Sequence, residues 1–504
     1  MSGTPNNLIL AYYGDDFTGS TDVMEAMARA GYRTVLFLKP PTSEQLARYP
    51  GLRAFGIAGG SRTMSPEEME RELPTAFEAL KASGARLVHY KMCSTFDSSP
   101  GIGSIGKAIE LGRRVFGERP TPLVVGLPLL GRYVVFGNLF ARSGLDTDPS
   151  RLDRHPTMRW HPVTPMTEAD VRLILGTQTQ LPVELIDVLK LETSLNSLER
   201  LLVLAAPSDK PSPIVLFDTV RDAHLPVIGR EIDCVANAGQ LFVVGSSAVE
   251  YAMVAHWQGT SITERGRTQR GNGSDRSVPS MARCSNGAPT LPSFAPRQLV
   301  CISGSCSPVT DRQIAHAMAA GFAEIALDPI RLLERPTPEL DLSEAFAILC
   351  SGRSLALHTS RGPADQRLQN SLAPTEREKL GRALGDLLDR LLNASGLRRA
   401  VVCGGDTSMA VARALGIEAL EFAAPAAPGS PLCRVHAPGR SADGCEMVFK
   451  GGQNGRDRFL LDVLDLAVDK APRTEILRPS NAMEPDFSRS SALMSLNEGD
   501  PPKL

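Results

Sequence analysis

The stretch LILAYYGDDFTGSTDVMEAMARAG, residues 8–31, is typical of the first strand, turn and helix of an α/β sheet. Its apolar start is short enough to be a buried strand, and Gly31 ends an amphipathic helical run. Asp15 and Asp16 fall where the strand ends, which is the sheet edge where open α/β sheets bind ligands. One carboxylate can cap the helix, so the other predicts a functional site. Further N-cap candidates follow, namely Thr18, Gly19, Ser20, Thr21 and Asp22.

The composition excludes several classes of protein. A chain of 504 residues is too long for one ordinary core, and 42% apolar with 22% charged residues is typical of a soluble globular protein. The net charge of −2 provides no field that would recruit nucleic acid or an anionic membrane. No apolar run approaches the roughly 18 residues that span a bilayer, and no signal-peptide pattern opens the chain. Nine cysteines without a CxxC pair indicate reduced thiols, so we predict a cytoplasmic protein.

The order of predicted elements divides the chain into two halves. From Tyr32 to about Leu241, β-rich runs alternate with helical segments, which indicates parallel α/β architecture. Residues 260–297 contain few large apolar side chains and many Gly, Ser, Arg and Pro, and a second alternation begins at Gln298. We therefore predict a first domain, a flexible linker or insertion, a second domain and a disordered tail, at residues 1–258, 259–297, 298–473 and 474–504.

Two cationic side chains follow predicted strands in the first half. Arg62 lies in a loop after the strand 52–58 and can bind a carboxylate with two hydrogen bonds, although a solvated loop arginine fits the sequence equally well. Lys91 ends the apolar strand 87–92, where a buried ammonium needs a partner such as a carboxylate or a phosphate. Side chains suited to binding sugar hydroxyls follow it, namely Ser94, Thr95, Asp97 and Ser98.

The run GIGSIGKA, residues 101–108, matches two phosphate-binding patterns incompletely. Ala108 stands where a P-loop needs Ser or Thr for magnesium. The run also follows a polar loop rather than a first strand, as a dinucleotide fingerprint would require. We interpret it as the start of a helix over 103–115. A nicotinamide-dependent oxidoreductase remains an alternative that rests on this run.

Glycine-rich turns recur in the second half. In LVCISGSCSPVT and VVCGGDTS a strand runs into glycines and then a helix, an arrangement in which backbone amides and a helix N-terminus can face a phosphate. The second of these helices is expected to be capped by Asp406, Thr407 or Ser408. FKGGQNG places Lys450 beside three glycines, which suits a polyphosphate.

Five segments in this order, DDFTG, KMCSTFDS, ISGSCSPVT, CGGDTS and KGGQNG, resemble the four-carbon acid sugar kinase family. The resemblance covers roughly residues 8–258 and 298–470, with KGGQNG where a KSGNFG-like run is expected. These enzymes phosphorylate small sugar acids with ATP. The resemblance therefore implies two α/β domains with mainly parallel sheets, an acid-binding first domain, a nucleotide-binding second domain and an active site in the cleft between them. It also implies ATP and Mg2+ as cofactors.

The resemblance implies roles for individual residues. An acid-sugar pocket would include Lys91, Ser94, Thr95 and Asp97. A nucleotide site would include Ser303, Gly304, Ser305, Gly404, Gly405, Asp406, Thr407, Lys450, Gly451 and Gly452. For phosphoryl transfer we predict Asp16 as the base, with Asp15 as the second choice, and Arg62 with Lys91 as ligands of the substrate carboxylate.

The acceptor is left open among threonate, erythronate, a 3-oxo-tetronate and a branched acid such as 3-oxo-isoapionate. A non-catalytic sensor of sugar acids and nucleotides is a further alternative, because it would keep the same pocket. The magnesium ligands are not predicted. A homodimer is the default expectation for such an enzyme.

Overall fold

The computed structural model describes residues 8–467, apart from 144–146, 162, 194–211, 260–297, 335–339, 364, 366 and 368–371. Nearly all of the predicted linker and the whole predicted tail lie outside the described residues.

The strands alternate with helices along both halves, as predicted. The strands are β1 (Leu10–Gly14), β2 (Thr34–Phe37), β3 (Ala54–Ala58), β4 (Leu87–Lys91), β5 (Thr121–Val124), β6 (Arg132–Val135), β7 (Asn138–Ala141), β8 (Ser150–Arg151), β9 (Val183–Ile186), β10 (Ile214–Phe217), β11 (Leu241–Gly245), β12 (Val300–Ser303), β13 (Ala323–Ala326), β14 (Leu355–His358), β15 (Arg399–Cys403), β16 (Ala419–Ala427), β17 (Ser430–His436) and β18 (Glu446–Lys450). The helices are α1 (Phe17–Arg29), α2 (Ser43–Ala47), α3 (Pro66–Ala82), α4 (Ile105–Phe116), α5 (Val171–Gly176), α6 (Val188–Thr193), α7 (Leu225–Ala236), α8 (Ala248–Trp257), α9 (Pro308–Ala319), α10 (Pro329–Glu334), α11 (Ser343–Cys350), α12 (Pro374–Ser395), α13 (Gly405–Ala414) and α14 (Phe459–Asp465). None of these helices combines the length and apolar character that a membrane crossing requires.

Most strands of the described residues belong to one fifteen-stranded sheet, in the order β13-β14-β12-β15-β18-β17-β16-β2-β3-β1-β4-β11-β5-β10-β9. Within this sheet the strands of the first half pair in parallel, and so do β12 to β15 and β18. Strands β6, β7 and β8 form a separate antiparallel sheet. The predicted mainly parallel α/β fold is therefore confirmed. Three successive antiparallel pairs, β2–β16, β16–β17 and β17–β18, join the two parallel parts, which therefore run in opposite directions.

The helix caps agree with the predictions only in part. Asp16 is the N-cap of α1, because its carboxylate accepts a hydrogen bond from the Gly19 amide at 3.0 Å. The further candidates from Thr18 to Asp22 lie inside the helix. Gly404 precedes α13 with a φ of 115°, a conformation that glycine adopts readily, so the predicted cap residues 406–408 lie inside the first turn. Helix α3 begins after Ser65, whose side chain forms a capping box with Glu68.

Helix α1 packs against both halves of the sheet. The Phe17 ring lies edge-on to the Phe449 ring of β18, with 5.1 Å between the ring centres. Further along the helix, Glu25 accepts a hydrogen bond from the Gly429 amide, in the turn between β16 and β17. The helix that begins at the aspartate pair thus also covers the strand that ends at Lys450.

Candidate active site

Neighbouring strands bring the first set of predicted residues to one edge of the sheet. Gly14 at the end of β1 is in register with Ala58 of β3 and Lys91 of β4, and Lys91 is in register with Gly245 of β11. The residues that follow these strand ends therefore converge. They include Asp15, Asp16, Arg62, Ser246 and Ser247.

Arg62 holds both aspartates. Its Nη2 donates to Asp15 Oδ1 and to Asp16 Oδ1, each at 2.8 Å, and its Nε donates to Asp15 Oδ2 at 3.2 Å. Arg62 is therefore not a solvated loop arginine, because its charge is compensated within the protein. We call Asp15, Asp16, Arg62 and Lys91 the aspartate cluster.

The glycine run 101–108 supports the Arg62 loop. Gly103 has a φ of 62°, and a Cβ atom there would lie 2.4 Å from the Arg62 carbonyl oxygen. Ser104 caps α4, which begins at Ile105, so the run starts a helix as predicted. Gly103 therefore has a packing role beside the Arg62 backbone.

The two aspartates have opposite ionisation tendencies. Burial raises the pKa of Asp15 to about 6, against the opposing effect of Arg62, and only 3% of its side chain is exposed. Burial also opposes ionisation of Asp16, but Arg62 and Lys91 outweigh it and lower the pKa of this carboxyl. Asp16 is more open to solvent, with 23% of its side chain exposed. At neutral pH Asp16 is therefore the more firmly ionised of the two.

Lys91 completes the cluster from β4. Its buried ammonium donates to the Met92 carbonyl oxygen at 3.1 Å. A Cβ atom on Gly19 would lie 2.4 Å from Asp16 Oδ1 and 3.0 Å from Lys91 Nζ, so the two charged groups meet at this glycine.

The hydroxyl-rich loop after Lys91 lies beside the cluster. Thr95 donates through Oγ1 to Asp97 Oδ1 at 2.9 Å, and Cys93 Sγ lies 3.0 Å from the same hydroxyl. Ser94 is half-buried in this loop. The loop therefore presents hydroxyl and carboxylate groups close to two cations.

The second set of predicted residues meets at another group of strand ends. Ser303, Cys403 and Lys450 are in register across β12, β15 and β18, so the turns 304–305, 404–407 and 451–452 adjoin. A Cβ atom on Gly304 would lie 2.3 Å from Thr407 Oγ1, and one on Gly452 would lie 2.5 Å from Ser305 Oγ. We call Gly304, Gly404 and Gly452 the glycine cradle. A side chain at either measured position would fill the space in which the turns meet.

Other residues predicted for the nucleotide site differ in their exposure to solvent. Gly405 and Asp406 are exposed, and the Asp406 carboxylate lies 3.6 Å from Arg377. Lys450 is fully buried, and its Nζ donates to Thr310 Oγ1 at 3.2 Å. In this conformation the Lys450 ammonium is closed off from solvent, so contact with a phosphate requires the adjoining turn to move.

One candidate residue was missed by the sequence analysis. Ser247 follows β11 at the edge where Lys91 lies, and its buried Oγ makes no hydrogen bond within the part of the chain that the structure describes. The run VVGSS before α8 repeats the strand, turn and helix pattern of the other sites, and this signal could have identified it. The described residues include no group of three or more His, Cys, Asp and Glu side chains that could hold a metal.

Two family models match the chain. A sugar-binding N-terminal domain matches residues 10–253, and a nucleotide-binding C-terminal domain matches residues 300–460. The aspartate cluster lies in the first match and the glycine cradle in the second.

Curated relatives match over nearly the whole described chain. A 3-oxo-isoapionate kinase from Paraburkholderia graminis is 43% identical over 469 residues, which is 90% of this chain and 94% of the relative. A 3-oxo-tetronate kinase from Methylobacterium radiotolerans is 30% identical over 467 residues, covering 91% and 99% of the two chains.

Solved structures share the fold. The crystal structure of Haemophilus influenzae protein HI1011, described as a DUF1537 protein, aligns with a TM-score of 0.64 at 20% identity and covers 90% of this chain and 98% of its own. A Salmonella typhimurium LT2 protein aligns with a TM-score of 0.70 at 24% identity over the same shares. Together with the kinase relatives and the two domain matches, these findings show that the chain belongs to the four-carbon acid sugar kinase family and is an ATP-dependent sugar-acid kinase.

Proposed function

We propose that this kinase phosphorylates a short 3-oxo sugar acid, with the branched acid 3-oxo-isoapionate as the first candidate. The similarity to the 3-oxo-isoapionate kinase, at 43% identity, exceeds that to the 3-oxo-tetronate kinase, at 30%. The structural observation that carries the proposal is the aspartate cluster, in which two carboxylates share one guanidinium beside a hydroxyl-rich loop.

Asp16 is the proposed general base. Phosphoryl transfer depends mainly on positioning and charge stabilisation, so the protein needs one group that accepts the proton of the acceptor hydroxyl. The Asp16 carboxylate is ionised and partly exposed, and among the described residues its Oδ2 accepts only from the Thr18 hydroxyl, at 2.7 Å. Both oxygens of Asp15 are instead bound to Arg62 and buried. Asp15 therefore fits a positioning role for Arg62, and Asp16 fits the base.

The glycine cradle is the proposed site of the ATP phosphates. Close-packed glycine turns allow phosphate oxygens to approach backbone amides, and α13 begins at the cradle with its N-terminus. ATP supplies the phosphoryl group that is transferred. Mg2+ commonly binds through one or two carboxylates together with substrate phosphates. The described residues include no larger ligand cluster, so this is the type of magnesium site that they can form.

A coupled assay of ADP release tests the proposal. Wild-type enzyme with magnesium and ATP is compared on 3-oxo-isoapionate, 3-oxo-tetronates, threonate and erythronate. We expect turnover to be highest on the branched 3-oxo acid. Asp16→Asn should lower kcat by about 10²- to 10⁴-fold, because that is the usual contribution of a general base. Asparagine is also a good N-cap, so helix α1 should keep its start.

Asp457→Asn is the matched control, because it makes the same change at an exposed carboxylate of the second half. It should leave kcat unchanged. Turnover on none of the acids would overturn the proposed substrate class. Full activity of Asp16→Asn would show that another residue is the base.

A further inference from the structure

A cavity of about 450 Å³ opens beside the β6–β7 hairpin. It is lined by residues 128–133 together with Arg142 and Ser143. This volume lies within the range of small-molecule sites, which usually combine a concave wall with a few polar groups that fix the ligand. The cavity was not singled out by any sequence motif.

Arg132 lies at this cavity and has an unpaired hydrogen-bonding edge. Its Nη1 donates to the carbonyl oxygens of Leu130 at 2.9 Å and of Arg142 at 3.2 Å. Its Nε is buried, and neither Nε nor Nη2 makes a hydrogen bond with a residue that the structure describes. Nε and Nη2 form the edge through which a guanidinium binds a carboxylate with two parallel hydrogen bonds.

The charge of Arg132 also has no direct counter-ion among the described residues. No ion pair among the described residues includes this guanidinium, whereas Arg62 contacts two carboxylates. A partly buried cation without an anionic partner is unfavourable, so the arrangement points to an anionic ligand.

The cavity adjoins the predicted sugar pocket. Gly245 of β11 is in register with both Lys91 of β4 and Val124 of β5, so the segment that leads to Arg132 and the 93–97 loop leave the same edge of the sheet. Burial lowers the pKa of Arg132, while Cys93 and Asp97 act in the opposite direction. Cys93 in turn interacts with the charge of Arg62. The aspartate cluster, the 93–97 loop and the segment that leads to Arg132 therefore all follow neighbouring strand ends of the first half.

We propose that Arg132, rather than Arg62, binds the carboxylate of the sugar acid. The inference rests on the proposed function, because it assumes a sugar-acid substrate in the first half. Arg62 would have to release a carboxylate of the protein before it could bind one on the substrate. Arg132 has no carboxylate of the described residues to release, and a shift of its side chain would bring the buried Nε to a bound carboxylate. The acid would then lie across the 93–97 loop, with its hydroxyl end toward Asp16.

The test compares Arg132→Gln with wild type on two substrates, the sugar acid that wild type turns over and the primary amide of the same acid. We expect Arg132→Gln to raise the KM of the acid at least about tenfold, because a charge-assisted bidentate pair is lost. The KM of ATP should change less than about twofold. Wild type should prefer the acid over the amide, and Arg132→Gln should lose this preference.

Two further variants make the result decisive. Arg71→Gln removes an equal charge from an exposed site on α3 and should match wild type. Arg132→Lys keeps the charge but not the paired geometry, so it should restore the preference only in part. It also serves as the test variant if Arg132→Gln does not fold.

An unchanged preference for acid over amide in both Arg132 variants would overturn the inference while leaving the kinase assignment intact. Absence of wild-type turnover on every acid would instead overturn the proposed function. The two failures are therefore distinguishable.

Discussion

Asp15 and Asp16 are neighbours in sequence, yet their surroundings differ. Asp16 caps α1 and keeps part of its carboxylate open, while Asp15 is buried against Arg62. Under the proposed mechanism, Asp15 positions Arg62 and Asp16 is the reacting group. At this scale the arrangement predicts how activity depends on pH.

The raised pKa of Asp15 predicts an acid limb in the pH profile. Its pKa of about 6 means that it is mainly protonated below this pH and ionised above it. Protonation removes one of the two charges that hold Arg62, so kcat/KM should fall as the pH decreases through about 6. Steady-state rates from pH 5 to 8 at saturating magnesium and ATP measure this limb. The Asp15→Asn variant should show no such acid limb. An identical limb in that variant would assign the titration to another group.

At the scale of single elements, both groups of predicted residues occupy turns at the carboxyl ends of parallel strands. In the second half these turns contact one another so closely that glycine is required. The Gly304 position faces Thr407 of α13, whereas nothing lies within 4 Å of a Cβ atom built on the neighbouring Gly405. This contrast provides a pair of substitutions that differ in their surroundings.

Gly304→Ala should destabilise the protein by about 1–3 kcal/mol, because its new methyl group would lie 2.3 Å from Thr407 Oγ1 and force the turns apart. Gly405→Ala should be nearly neutral. Chemical denaturation measures both changes. Adding Thr407→Ala should recover part of the loss in the Gly304→Ala background. If the changes in the free energy of unfolding simply add, the contact between positions 304 and 407 does not limit the packing of the turns.

At the scale of the whole molecule, the two predicted domains share one sheet. The β16–β17 hairpin pairs with strands from both halves, and α1 packs on both. The division into domains at 258 and 298 stays a prediction, because the sheet itself crosses between the halves. A structure joined in this way is expected to unfold cooperatively.

Phe17→Ala tests this coupling, because the Phe17 ring connects α1 to Phe449. Truncation of a buried phenylalanine usually costs about 3–5 kcal/mol. We expect one calorimetric transition in wild type and one transition at lower temperature in the variant. Leu173→Ala, at an exposed position on α5, should leave the transition temperature unchanged. Two separate transitions in wild type would contradict the coupling of the halves.

Much of the fold and part of the site follow from local patterns. The alternation of short apolar runs with amphipathic segments predicts a parallel α/β sheet, because each strand and helix must bury its own apolar face. The aspartate pair, Lys91 and the glycine turns were identifiable because they stand where strands end. Five ordered segments also indicated the kinase family.

What the sequence could not specify depends on contacts between distant residues. The pairing of β2 with β16 joins the halves, yet neither strand carries a local signal for its partner. Arg62 appeared free to bind a substrate, and only the folded chain brings it onto Asp15 and Asp16. Lys450 appeared exposed to phosphate but is buried against Thr310, and Arg132 carries no motif at all. Charge compensation and burial are properties of the assembled surroundings, so the tertiary structure alone decides which cation is left to bind a ligand.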